Sequence, residues 1–143
     1  GEIIGTIDYS PQNYLGEIYA NTNGGILGKI TENKKEFFTD KKISIAKKSE
    51  VKTGKAYLRS SISGKSKDYS IEIEKVFFHE KNSLKTLKIR VTDSELITLT
   101  GGIIQGLSGS PILQNGKLVG AVTHVLIDNP QMGYGIFAES MLE

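Results

Sequence analysis

Eight short runs of alternating or β-branched residues, each bounded by turn-forming residues, leave this chain little room to be anything but a β protein. They cover residues 2–8, 26–31, 42–48, 55–62, 69–78, 86–92, 111–114 and 117–127. The two-residue period is sharpest in Tyr69-Ser70-Ile71-Glu72-Ile73-Glu74-Lys75-Val76, which points Tyr69, Ile71 and Ile73 one way and Ser70, Glu72 and Glu74 the other. That strand has one wet face. By contrast, residues 118–126 are apolar or small on both faces and predict a buried inner strand. Between 111–114 and 117–127 sits Asn115-Gly116, the pair that a type I′ hairpin turn favours because both of its central positions need positive φ. Helix signals are confined to 94–99, with Asp93 or Ser94 as N-cap, and to 138–142. The lysine-rich 33–48 and the Ser/Gly/Lys-rich 60–67 read as exposed loops or charge-protected edges.

Composition narrows the chemistry. With Cys 0, disulfides, thiolate zinc sites, iron–sulfur clusters and cysteine nucleophiles are all excluded, and with only His79 and His124 so is a three-histidine metal site. No cofactor is expected. A net charge of +2, with basic residues spread rather than massed, does not indicate a nucleic-acid surface. The 143 residues suit one domain with a respectable core. No stretch approaches the ~20 apolar residues that cross a bilayer, and Gly1-Glu2-Ile3-Ile4 is unlike a signal peptide, so the chain as given reads as soluble. It starts inside a strand-like run, which suggests a fragment whose parent continues upstream.

The segment that carries chemistry is Gly106-Leu107-Ser108-Gly109-Ser110-Pro111, leading into a strand and the Asn-Gly hairpin. A serine with glycine two before and one after suits a tight loop whose backbone N–H groups point into the space beside the hydroxyl. An oxyanion hole needs that geometry, and each donor there lowers the barrier by roughly 3–4 kcal/mol. An ordinary Gly/Ser/Pro turn between strands would use the same residues. A nucleophile elbow is excluded because Ser110 stands where Gly is required and Pro111 leads into a strand; a P-loop is excluded because no Gly-Lys-Ser/Thr follows. Ser110, as the residue before proline, is restricted to extended conformations and is the weaker rival nucleophile.

What remains is the Gly-x-Ser-Gly-x-Pro pattern of trypsin-like serine peptidases. Thr92-Asp93, the run from Thr100 through Gly101, Gly102 and Ser108 to Ile112, the run from Gln114 through Gly116, Gly120 and Thr123 to Val125, and Gly133-Tyr134-Gly135-Ile136-Phe137 together resemble the peptidase domain of the stage IV sporulation protein B (SpoIVB) family. The resemblance is dense from Asp93 onward and thinner upstream.

It implies an all-β, trypsin-like double β-barrel, incomplete at its N-terminus, with residues 1–143 as one peptidase domain. Ser108 would be the nucleophile, Asp93 the triad acid that orients a histidine, and the N–H groups of Gly106 and Ser108 the oxyanion hole. Thr123-His124-Val125 would pair with a peptide or protein substrate by strand addition. Family members carry an N-terminal membrane anchor and a PDZ domain, act between the two membranes of a developing spore, and cleave themselves and a regulator of a membrane-embedded protease. That cleavage triggers processing of a late sporulation transcription factor. The PDZ domain would be a partner and the anchor the only tie to membrane.

One departure matters: the family's catalytic histidine lies in an upstream Leu-Gly-His segment with no counterpart here. Without a general base a serine is a weak nucleophile, so the chain alone is expected to be inactive. His124, sixteen positions past Ser108, is a packed or substrate-lining residue or a surrogate base; His79 reads as a surface histidine, and Asp93 as an N-cap in its own right. The alternative function is a catalytically incomplete β-domain that binds peptide strands.

Overall fold

A computed structural model describes residues 5–31, 41–78 and 84–142. It divides into two units, Gly1–Lys42 and Ile43–Glu143. In the first, β1 (Gly16–Thr22) and β2 (Gly25–Ile30) form a two-stranded antiparallel sheet. Ile18, Tyr19 and Ile26 of this hairpin are exposed.

The second unit is a closed six-stranded barrel. Its strands are β3 (Gly54–Ser60), β4 (Lys67–Val76), β5 (Leu87–Val91), β6 (Pro111–Gln114), β7 (Lys117–Leu126) and β8 (Asn129–Phe137), in the cyclic order β3-β4-β5-β8-β7-β6. Every pairing is antiparallel. Two helices complete it: α1 (Ser94–Thr100) between β5 and β6, and α2 (Ala138–Met141) after β8. The expected class, an all-β barrel protein with little helix, is the one adopted. Among the described residues one barrel closes, and the remaining strands form the hairpin sheet.

The alternation read from the sequence is what fills the barrel. Tyr69, Ile71 and Ile73 of β4 and Leu87, Ile89 and Val91 of β5 are all essentially solvent-free. Between those inward positions, Arg90 on β5 bonds Glu72 and Glu74 on the outer face of β4. At about 25 cal/mol per Å² of apolar surface, each inward aliphatic side chain contributes roughly 1.5–3 kcal/mol, whereas these exposed ion pairs contribute little.

Glycines let the barrel close tightly at β7 and β8. A Cβ on Gly120 would lie 2.3 Å from the Ile136 carbonyl oxygen, and one on Gly135 would lie 2.8 Å from both the Ala121 carbonyl oxygen and Ile112 Cδ1. Asn115 and Gly116, at φ 51° and 74°, make the expected β6–β7 turn. Phe137 is buried, and Phe78, itself half exposed, stacks on it at 6.1 Å.

Gln114 is the polar tie inside this shell. Buried at the end of β6, it donates from Nε2 to the carbonyls of Lys52 and Lys55 and accepts the Lys52 N–H on Oε1. Gln114→Ala strands those groups, and we expect a loss of about 2 kcal/mol in urea unfolding. A change below about 0.5 kcal/mol would mean water replaces the side chain there.

Candidate active site

Two tight turns in series shape the loop between α1 and β6. The Leu107 N–H donates to the Ile104 carbonyl at 3.1 Å and the Ser110 N–H to the Leu107 carbonyl at 3.0 Å. Gly106 (φ 99°) and Gly109 (φ 86°) occupy the third position of each turn, where positive φ is needed. Leu107, 4% exposed, plugs the loop into the core, and Ser108, next along, is left exposed at the corner of the second turn. Sequence reading passed over Leu107; its signal was the lone apolar side chain in a Gly/Ser loop.

The loop is pinned to β7. The Gly109 N–H donates to the Val122 carbonyl at 2.8 Å, and the Val122 N–H donates to the Ser110 carbonyl at 3.0 Å. Ser110, the rival serine, is thereby an anchor. The Ser108 hydroxyl donates to the Thr123 carbonyl at 3.4 Å, a long and easily released bond. Among the described residues, the N–H groups of Gly106 and Ser108 donate to no protein acceptor.

At this point β7 changes character. Its β6 neighbour ends at the Pro111–Ala121 pair, while the β8 pairing continues through His124–Tyr134 and Val125–Gly133. Among the described residues, no strand pairs with the second edge of β7 past Val122. The expectation of a strand buried on both faces holds for Val119 to Val122 and fails beyond it, where no second strand among the described residues pairs with it: His124 is exposed and Val125 only half-buried. Thr123 anchors the opening, its hydroxyl donating to the Leu84 carbonyl at 2.7 Å. Ser108, Thr123, His124 and Val125 are thus brought together at one rim. His124 forms no hydrogen bond with Ser108. His79 lies outside the described residues.

Asp93 lies half-buried at the start of α1. Its Oδ1 accepts the N–H groups of Glu95 and Leu96 at 3.0 and 3.1 Å, and Oδ2 accepts the Ser70 N–H at 3.1 Å. Desolvation works to raise its pKa, but the Ser70, Leu96 and Glu95 donors and the nearby Lys67 outweigh it and hold the carboxyl below the ordinary 3.8. Among the described residues no cluster of His, Cys, Asp and Glu could hold a metal ion, and no helix is long and apolar enough to cross a membrane.

No curated protein gives a significant match to this chain. Among solved structures, the active form of the Rv3671c protease from M. tuberculosis is similar at 20% identity and a TM-score of 0.49; the alignment covers 70% of this chain and 44% of that one. The chain therefore spans less than half the length of that protease. The family model described as SpoIVB peptidase S55 matches residues 1–142. With its serine loop built on a closed barrel and that match running almost end to end, this chain belongs to the SpoIVB peptidase family of serine peptidases.

Proposed function

We propose that this chain is the nucleophile-bearing part of a sporulation endopeptidase, with Ser108 as the attacking residue. One observation carries the reading: the Ser108 hydroxyl is exposed on a tight glycine loop and donates to the carbonyl of Thr123, where β7 has passed the end of its β6 pairing. A peptide laid along Thr123-His124-Val125 as an added strand would bring its carbonyl carbon to Ser108 Oγ. A base takes the hydroxyl proton as the oxygen bonds to that carbon. The oxyanion that forms turns to the Gly106 and Ser108 N–H groups, and collapse expels the amine with the proton returned by the base; water then hydrolyses the acyl-serine by the same route.

The base is a histidine contributed by sequence upstream, neither His79 nor His124, and the chain alone is inactive. Family resemblance supports the wider setting: an upstream PDZ domain and membrane anchor, action between the two membranes of the developing spore, self-cleavage, and cleavage of a regulator of a membrane-embedded protease.

A fluorophosphonate serine probe tests this. Labelling should be absent or very slow in the isolated chain and should appear when the upstream segment is joined to it. If no labelling appears in the longer protein while an extended peptide still binds, the second reading stands instead: a catalytically incomplete β-domain that binds peptide strands. That reading is favoured by the absence of an imidazole bonded to Ser108 among the described residues.

A further inference from the structure

We infer that Ile103 sets which peptide bonds this protein cleaves: it fills the space under the substrate strand, so that the residue whose carbonyl is attacked must be small and uncharged. The inference rests on the reading of Ser108 as nucleophile and adds a substrate class to it.

The filling is seen at Gly133 on β8. Gly133 is buried, and a Cβ on it would lie 2.6 Å from Ile103 Cδ1, so the isoleucine occupies the place a side chain there would take. Ile103 itself is 2% exposed. Its backbone is held against β8. The Ile103 N–H donates to the Pro130 carbonyl at 2.7 Å, and Gly102 before it lies so close that a Cβ would be 2.3 Å from the same carbonyl oxygen.

Register turns this plug toward a bound peptide. Val125 pairs with Gly133, and directly opposed residues of an antiparallel pair put their side chains on one face. Val125 and Ile103 therefore share a face, and Val125 and Ile104 pack half-buried against the core cluster that contains Ile103. A peptide added along Thr123-His124-Val125 turns its residue opposite Val125 toward that face. By the two-residue period of an extended chain, its residue opposite Thr123 turns the same way. The Ser108 hydroxyl donates to the Thr123 carbonyl, so this second residue is the one presented to the nucleophile. Its side chain meets Ile103.

The chemistry of the face gives the class. Ile103 and Val125 are apolar, and Gln131, two positions before Gly133 and on the same side of β8, is uncharged. A lysine or glutamate side chain entering here would leave water for a face that offers it no opposite charge among the described residues. A phenylalanine would have to displace a side chain packed into the core. Alanine or serine requires neither.

The test uses the chain joined to its upstream segment and extended peptides that differ only at the residue before the cleaved bond. We expect kcat/KM about 100-fold higher with alanine there than with phenylalanine, lysine or glutamate. Ile103→Val removes the Cδ1 that covers Gly133 and should raise the leucine-to-alanine ratio of kcat/KM about tenfold. Ile103→Ala should raise the phenylalanine-to-alanine ratio by about 30-fold. Both variants lose core packing and melt lower, but a ratio taken within one protein does not depend on the folded fraction. Ile73→Val, the same loss from a buried position on β4, should lower melting and leave both ratios unchanged. Peptidyl phosphonate esters bearing the same side chains, which label the serine without turnover, should rank in the same order.

A wild type that accepts phenylalanine or lysine as readily as alanine would overturn the inference. So would ratios unmoved in both Ile103 variants, or moved equally by Ile73→Val. In those cases, loss of all cleavage in Ser108→Ala leaves the nucleophile reading standing. If Ser108→Ala still cleaves, or if the longer protein neither cleaves the peptides nor takes up the phosphonates, that reading fails and this inference fails with it.

Discussion

Ser108→Ala abolishes fluorophosphonate labelling and lowers peptide hydrolysis by about 10⁶-fold in the chain joined to its upstream segment, while leaving melting almost unchanged. The catalytic part follows from what the alanine lacks. The oxygen that bonds to the carbonyl carbon is gone, and water, held less well, must replace it. A residual acceleration of about 10³ survives from the oxyanion donors, because the Gly106 and Ser108 N–H groups belong to the backbone and remain. The structural part follows from the surroundings. The hydroxyl is exposed and gives up only a 3.4 Å bond to the Thr123 carbonyl, and such surface changes stay within about 0.5 kcal/mol. Labelling that survives the substitution would place the nucleophile elsewhere.

Gly102→Ala should be the most damaging single-methyl change in the barrel, costing about 4 kcal/mol in urea unfolding. Two penalties combine. At φ 139° the backbone lies where only glycine is comfortable, at about 1–3 kcal/mol for any other residue. The added carbon would also sit 2.3 Å from the Pro130 carbonyl oxygen and 2.6 Å from its carbon, both backbone atoms of β8 that cannot swing away. Gly101 next door is the internal control. It too has positive φ, 75°, but a Cβ there meets nothing within 4 Å, so Gly101→Ala should cost only about 1 kcal/mol. Equal costs for the two would mean that loop and β8 are not packed as described. Because Ile103 bonds Pro130 just beyond, Gly102→Ala should also slow Ser108 labelling in the longer protein.

How much of this was legible beforehand depended on whether a residue's job is local. The β4 alternation, the Asn115-Gly116 turn and the two helices are written in neighbours and were read correctly from them. β8 was not, because Gly133, Pro130 and Gly135 look like loop residues. Their smallness answers a long-range demand: a Cβ on Gly133 would run into Ile103 Cδ1 at 2.6 Å and the His124 carbonyl oxygen at 2.7 Å. The glycines two apart on a single face were the available signal. Residues 42–48 looked like a strand yet, among the described residues, make only one bridge, Ile45 to Leu118, and β1 was missed because its Gly16-Glu17-Ile18-Tyr19-Ala20 alternates weakly. The tight turns around Ser108 were legible because their glycine chemistry is local. The N-cap role of Asp93 was legible for the same reason, since the residues it caps follow it directly in the chain.

The filled interior of the barrel has a consequence for anything this protein handles. With Tyr69, Leu58 and Ile112 fully buried and glycines drawing the walls together, the barrel is filled by its own side chains. On the proposed reading a target is gripped along the rim, by hydrogen bonds that the stretch of β7 past Val122 would offer to another backbone. A helix or a well-paired strand has already spent those groups internally. Selection therefore falls first on local stability: the segments this rim can hold are those that their own protein leaves unravelled for a few residues, and an otherwise ideal sequence inside a firm fold is invisible to it.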